Sequence, residues 1–316
     1  MTTRLALRWI SMVTALVACA GGGSLASAAQ PDPPGRVVHH ESFPSKFVSP
    51  RRITVWLPPG YEKGQGRYAV LYMHDGQNLI DITRSLASQP WGVDRVLARL
   101  MSDGRIRRTL LVGIDNSATR WRDYAPQEPF EALPERLQGL AKGNLDGAPW
   151  SDGYARFIVD ELKPFIDAHY RTRTDRANTF LMGSSMGGLI SLYTLARYPE
   201  TFGAAACLST HWPYTTNPDV LRSADSADAT EIGMATIDWL GAHVPAPAAH
   251  RLYFDHGTEF LDALYARYQT RVDSLLRARG YADGDNFQSL VFEGATHNEK
   301  SWSERLDTPL LFLLRP

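Results

Sequence analysis

Cysteine is nearly absent. The 316-residue chain has two, Cys19 and Cys207, and the first sits in an N-terminal apolar run, so no intrachain disulfide is left to staple a mature fold. Cys207, in the apolar string "FGAAACLST", reads as a buried and inert thiol. An excess of one charge is missing as well: Lys+Arg 33 stand against Asp+Glu 34, for a net charge of -1. With no long run of like charge, nothing points to a nucleic-acid groove or a polybasic membrane surface, and a small neutral or mixed partner fits better. No H-E-x-x-H or similar ligand spacing occurs, so His74-Asp75 and His39-His40 are not read as a metal site, and no cofactor is expected. There is no internal repeat. Stability must come from an apolar core, and 44% hydrophobic residues over this length are enough for one large α/β domain.

The first thirty residues read as an export signal: Arg4 and Arg8 precede an apolar run from Trp9 to Ala20 that is too short for an ordinary membrane span. Two processing routes stay open. Ala26-Ser27-Ala28 suits signal peptidase cleavage near Ala28, whereas "LVAC" suits lipoprotein cleavage before Cys19 and a lipid anchor there. Either way the protein is expected to be exported: periplasmic, secreted or held at the cell envelope. A Pro-rich linker at 31–35 leads into a single domain at 36–316. The oligomeric state is open.

In that domain, "RRITVWLPP", "YAVLYMHD", "TLLVGID", "NTFLMG", "AAACLST", "RLYFDHG" and "FQSLVFEG" read as strands. Most are continuous apolar runs, as expected for strands covered on both faces. Helical patterns fall between the later ones: "YARFIVDELKPFIDAHY", the stretch after Ser185, "EIGMATIDWLGAH", and "LDALYARYQTRVDSLLRARG" with Gly280 as C-terminal cap. "SWSERLDTPLLFLL" reads as a last helix. Such alternation predicts an α/β fold with a mostly parallel central sheet between helices. The segment 116–153, rich in Pro, Gly and aromatics, is expected to be a long irregular loop, a lid or binding loop.

Chemistry concentrates at "TFLMGSSMGGLISLYTLARYP". Gly183, Ser185 and Gly187 match G-x-S-x-G between a strand and a helix, the setting in which a sharp turn lifts a serine hydroxyl above a sheet edge. Ser184 has the wrong glycine spacing, so Ser185 is the candidate nucleophile. The bare motif is weak, and the strand and helix around it give it weight. A serine hydroxyl needs a base, and the base an orienting carboxylate, here in the chain order Ser, acid, His. Five histidines follow Ser185. His297, in the polar loop "FEGATHNEKSW" after the last strand, is the candidate base; His243 and His250 read as surface residues, and His211 comes too early. The acid should follow "RLYFDHG". Asp255 reads as structural, and Asp262 is preferred by a small margin to Glu259. Two backbone N–H groups should stabilise an oxyanion: that of Met186, and that of Gln77 in "LYMHDGQN", where Gly76 permits a sharp turn and His74 and Asp75 shape the loop.

"YAVLYMHDGQNLID", "WGVD", "LLVGIDN", "RWRDYAPQ", "VDELKPFIDAHYRT", "GSSMGGLISLY" and "FEGATHNEKSW" together resemble, over residues 36 to 316, the α/β-hydrolase family of esterases that includes esterase D-like enzymes. That family holds feruloyl and acetyl-xylan esterases, ferric-enterobactin esterases and secreted mycolyltransferases. The resemblance implies a single-domain α/β-hydrolase fold, Ser185 as nucleophile, His297 as base, and the N–H groups of Gln77 and Met186 as the oxyanion hole. It does not carry over the acid, because relatives often place Asp three residues after the turn glycine, where this chain has Phe260. Trp91, Arg120, Arg122, Tyr124, His211 and Trp212 are candidates for an aromatic and cationic rim suited to a phenolic, sugar or siderophore ester. The expected activity is serine ester hydrolysis. Acyl transfer from the same site is an alternative, as is ligand binding on a hydrolase scaffold without catalysis.

Overall fold

Among the described residues, eight strands run in chain order as β1 (Arg36–Phe43), β2 (Arg51–Leu57), β3 (Ala69–His74), β4 (Thr109–Ile114), β5 (Thr179–Ser184), β6 (Ala204–Leu208), β7 (Arg251–Gly257) and β8 (Phe287–Phe292). The computed structural model describes residues 35–81, 83–85, 89–143, 147–215 and 227–316. The leader, both of its cleavage sites and most of the 31–35 linker lie outside them. The described residues belong to one compact unit, Pro33–Pro316.

The strands form one sheet in the order β1-β2-β4-β3-β5-β6-β7-β8. β1 with β2, and β2 with β4, are antiparallel. Every other pairing is parallel. β1, "RVVHHESF", was not anticipated: it pairs only with β2, and its polar, part-exposed residues give no apolar run to read.

Successive side chains on a strand point to opposite faces, and here both faces meet helices. Val70 and Tyr72 of β3, Leu181 of β5, Ala205 and Cys207 of β6, and Leu252 and Phe254 of β7 pack into one core layer. Leu71, Met73, Phe180, Met182, Ala204, Ala206 and Tyr253 pack into the other. This is why the central strands read as continuous apolar runs. Each large side chain so buried contributes about 1.5–3 kcal/mol relative to exposure. β8, at the edge, departs from that pattern, with Val291 55% exposed.

The helices Met186–Arg197, Ala227–His243 and Ala266–Ala278 lie where the sequence put helical patterns. Gly280 takes φ 89° just past the last of these. The final pattern is two helices, Glu299–Glu304 and Asp307–Leu314. "YARFIVDELKPFIDAHY" is interrupted: Ser151–Arg156 and Lys163–His169 are α-helical, while Phe157–Leu162 widens to a π turn. Pro164 has no N–H to return to the turn before it, which accounts for the widening there. The helix Val93–Ser102 was missed, though its buried Val93, Leu97 and Leu100 keep helical spacing.

The segment 116–153 is not the irregular loop expected. Short helices at Arg120–Tyr124, Gln127–Glu131 and Glu135–Lys142 run through it. Its apolar residues, Trp121, Tyr124, Phe130, Leu133 and Leu137, are buried in the core, and Trp121 Nε1 donates to the Tyr214 carbonyl at 2.6 Å. Arg51 of β2 pins the segment through a buried ion pair with Asp123 at 3.0 Å. Most of its aromatics are packing material, with Trp150 the exposed exception, and its described residues do not form a detached lid.

Candidate active site

Ser185 sits between β5 and the helix Met186–Arg197 with φ 58° and ψ -124°, a conformation that side chains rarely adopt and that the surroundings must hold. They hold it by hydrogen bonds. The Ser185 N–H donates to the Leu208 carbonyl at 2.8 Å, and its own carbonyl accepts from Gly188, Leu189 and His211 at 3.1–3.2 Å. The glycines allow the close approach. A Cβ on Gly183 would lie 2.6 Å from the Gly187 backbone, and one on Gly188 would lie 3.2 Å from Cys207 Cα. Strand end and helix start therefore touch, and the serine between them is turned outward and partly exposed.

The candidate base and the candidate acid meet. Asp262 Oδ1 lies 2.6 Å from His297 Nδ1, which leaves Nε2 of His297 as the free ring nitrogen. The other oxygen, Oδ2, accepts from Gly257 N–H and from the Ser209 hydroxyl, each at 2.7 Å. Burial alone would raise the Asp262 carboxyl, but the His297 contact and these donors outweigh it and hold it below the usual carboxylate value. Glu259 is exposed on the turn before and caps the 3-10 turn Phe260–Leu264 that carries Asp262 inward. Phe260 takes φ 52° at 81% exposure.

Behind Asp262 lies a network that the sequence did not announce. Ser209 Oγ accepts from Trp302 Nε1 at 2.9 Å and from Arg305 Nη2 at 2.8 Å. The same Arg305 nitrogen donates to Asp255 Oδ1 at 2.8 Å. Asp255 is thus structural, as expected, and burial raises its carboxyl despite Arg305. "LSTHWP" was searched for its histidine, but the residue reaching the acid is Ser209. Nothing in its local pattern marks a serine whose partners lie 53 and 96 positions away.

On the facing loop, Asp75 adopts a left-handed conformation at φ 55° and leads into a 3-10 turn, Gly76–Asn78. A Cβ on Gly76 would lie 2.8 Å from the Gly113–Ile114 backbone, so only glycine fits. Arg120 grips Asp75 with two hydrogen bonds of 2.7 Å, and Asn116 adds a third at 2.6 Å. Burial works against the Asp75 carboxylate, yet Arg120 and Asn116 win and lower it. His74, buried with Nδ1 2.9 Å from the Tyr154 hydroxyl, is lowered by burial to about 3 and is neutral. Among the described residues, the N–H groups of Gln77 and Met186 take no backbone acceptor. The Gln77 side chain accepts from the Asn116 N–H through Oε1 at 3.2 Å.

Ser185 and His297 share one cavity of about 270 Å³ with His74, Asp75, Asn78, Trp91, Asn116, Arg120, Ser184, Glu299 and Trp302. Of the expected rim, Trp91 and Arg120 are there. The others are elsewhere: Tyr124 is buried beneath His74 with ring centres 5.4 Å apart, and Trp212 stacks on Phe254 in the core. His211 is buried, bonded to the Tyr265 hydroxyl and the Thr215 carbonyl, and Arg122 holds the Ala148 carbonyl beside a separate groove. Tertiary pairing consumed these side chains, and composition does not show it. His250, expected at the surface, is buried between the Ala246 and Pro199 carbonyls. Asn78, Asn116, Glu299 and Trp302 line the cavity unanticipated. A larger cavity, about 650 Å³, lies by Tyr68, Arg95 and Arg108 near the strands' opposite ends; in parallel α/β sheets, ligands bind at the carboxyl ends, where Ser185 is.

A strand-to-helix turn bearing a serine, an Asp–His pair after the last two strands, and this sheet order define an α/β-hydrolase. A family model described as "Putative esterase" matches residues 45–313, so the chain belongs to that esterase family and is an ester hydrolase. The Bacillus subtilis (strain 168) protein YbbA, described as uncharacterized, is 26% identical over 268 residues, 83% of this chain and 92% of that protein. Ferri-bacillibactin esterase BesA of the same organism is 33% identical over 111 residues, 34% of this chain and 36% of its own length. A solved structure described as a ferulic acid esterase superposes with a TM-score of 0.61 at 20% identity, covering 89% of this chain and 98% of that one, a likeness of fold.

Proposed function

We propose that the protein is an exported serine ester hydrolase working through an acyl-enzyme on Ser185. The observation that carries this is the pairing of His297 with Asp262 at 2.6 Å beside the cavity that Ser185 lines. Asp262 fixes the proton on Nδ1, so Nε2 is the lone pair that takes the Ser185 proton as the hydroxyl attacks the ester carbonyl. The imidazolium then forms against a carboxylate that is already ionised. The N–H groups of Met186 and Gln77 are assigned to the oxyanion, His297 returns its proton to the departing alcohol, and water attacks the acyl-enzyme by the reverse route. Support for export is the leader, with its two arginines and short apolar run.

The test is hydrolysis of p-nitrophenyl acetate by the mature domain beside Ser185→Ala and His297→Ala variants. Loss of at least ~10³-fold in kcat in both is expected. Full activity in Ser185→Ala would remove the serine from the mechanism. An added alcohol or sugar acceptor in the same assay separates hydrolysis from acyl transfer by its products.

A further inference from the structure

The cavity walls differ in charge. On the loop side, Arg120 and Asp75 neutralise each other through two hydrogen bonds of 2.7 Å. On the His297 side, Arg305 is one cation shared by two carboxylates, at 2.8 Å from Asp255 and 4.0 Å from Asp262. Glu299 has no cation at all among the described residues. Its carboxylate lines the cavity and accepts from Asn78 Nδ2 at 3.4 Å across it. Beside it stand two indoles: Trp302, edge-on to His297 at 5.0 Å, and Trp91, 5.6 Å from Trp302.

The position of these groups says which half of an ester they meet. His297 must reach the leaving oxygen to protonate it, so the alcohol half lies on its side of the cavity. Glu299 is two residues on, and Trp302 and Trp91 continue that wall. We propose that Glu299, Trp302 and Trp91 form a subsite for a positively charged alcohol half, an ammonium-bearing alcohol, and reject an anionic one. This rests on the Ser185–His297 reading above. Indole faces attract cations, and the carboxylate adds direct attraction that a carboxylate-bearing alcohol would meet as repulsion. As a first-turn residue of the helix Glu299–Glu304, Glu299 also suits the helix dipole, but that role would act on all substrates alike.

The experiment compares kcat/KM for three acetate esters: acetylcholine, its uncharged isostere 3,3-dimethylbutyl acetate, and anionic 3-acetoxypropanoate. The parent enzyme should rank them cation, neutral, anion. The acetylcholine-to-isostere ratio should fall about tenfold in Glu299→Gln, further in Glu299→Lys, and fall in the parent as salt shortens the screening length. Any stability effect cancels in the ratio. A parent ratio at or below one, or one unchanged in Glu299→Gln, overturns the subsite. Ser185→Ala is assayed alongside: if it is inactive while the ratio stays flat, the subsite alone fails, and if it is active, the mechanism fails and the subsite with it.

Discussion

The turn at Ser185 and the segment that begins at Asn116 both wall the same cavity, but they take their shapes by different means. In the turn, shape comes from neighbours in sequence: Gly183, whose Cβ would strike the Gly187 backbone, lets strand and helix touch, and the serine is left in a held conformation of positive φ. In the segment, shape comes from partners far away. Arg120 is taken by Asp75, 45 positions off, and Asp123 by Arg51, 72 positions off, while Trp121 and Tyr124 go into the core. Residues that look chemical can therefore be spent on packing, and the turn is the part where local pattern and chemistry coincide.

The proposed acid, Asp262, is placed by distant partners and yet would serve the turn, so its loss should have the largest effect. In Asp262→Asn the amide oxygen keeps the place of Oδ2, where Gly257 and Ser209 donate. The NH₂ then faces His297 Nδ1 and forces the tautomer that cannot accept a proton at Nε2. A fall in kcat of about 10³–10⁴-fold with unchanged Tm is expected; a fall below tenfold would move the acid elsewhere. Next is Arg120→Met, which strands the Asp75 carboxylate. Because Arg120 is a third exposed, the full cost of a broken buried pair is discounted to about 2–3 kcal/mol by denaturant unfolding. Part should return in the double variant with Asp75→Asn.

Acid titration gives a smaller effect. Burial lowers His74 to about 3 and His211 to about 4, while an unfolded histidine titrates near 6.5. Between pH 6.5 and 4 the unfolded chain binds protons that the folded one refuses, so stability rises with pH and drains away as pH falls. Each contributes a loss of about 2 kcal/mol at pH 5. Measured from pH 7 to 5, the stability slope should shrink in His211→Asn, and an unchanged slope would contradict the assignment. Smallest is Arg122→Ala: with its guanidinium donating, among the described residues, to the exposed Ala148 carbonyl, stability should shift by less than about 0.5 kcal/mol and kcat/KM stay as it was.

Much of the fold was legible because the central strands are apolar on both faces, as two-sided burial requires. That Ser185 and His297 share a cavity was legible because each stands at a chain-order position next to a readable strand. Asp262 and Glu259 lie in one turn and differ only in geometry: the 3-10 turn brings Asp262 to His297 and leaves Glu259 exposed. Ser209, Arg305, Asn78 and Glu299 carried no local signal: each matters through a partner brought close by the sheet, at separations from 46 to 221 positions. β1 was missed for the opposite reason, that an edge strand with polar residues lacks the burial that makes strands readable.

The central claim is a covalent acyl-enzyme on Ser185. Intact-mass spectrometry of the mature domain after treatment with a fluorophosphonate, followed by peptide mapping, tests it directly. The account predicts a single adduct on the peptide containing Gly183–Gly187, absent from Ser185→Ala and slowed in His297→Ala. An adduct on any other residue, or equal labelling of Ser185→Ala, would contradict it.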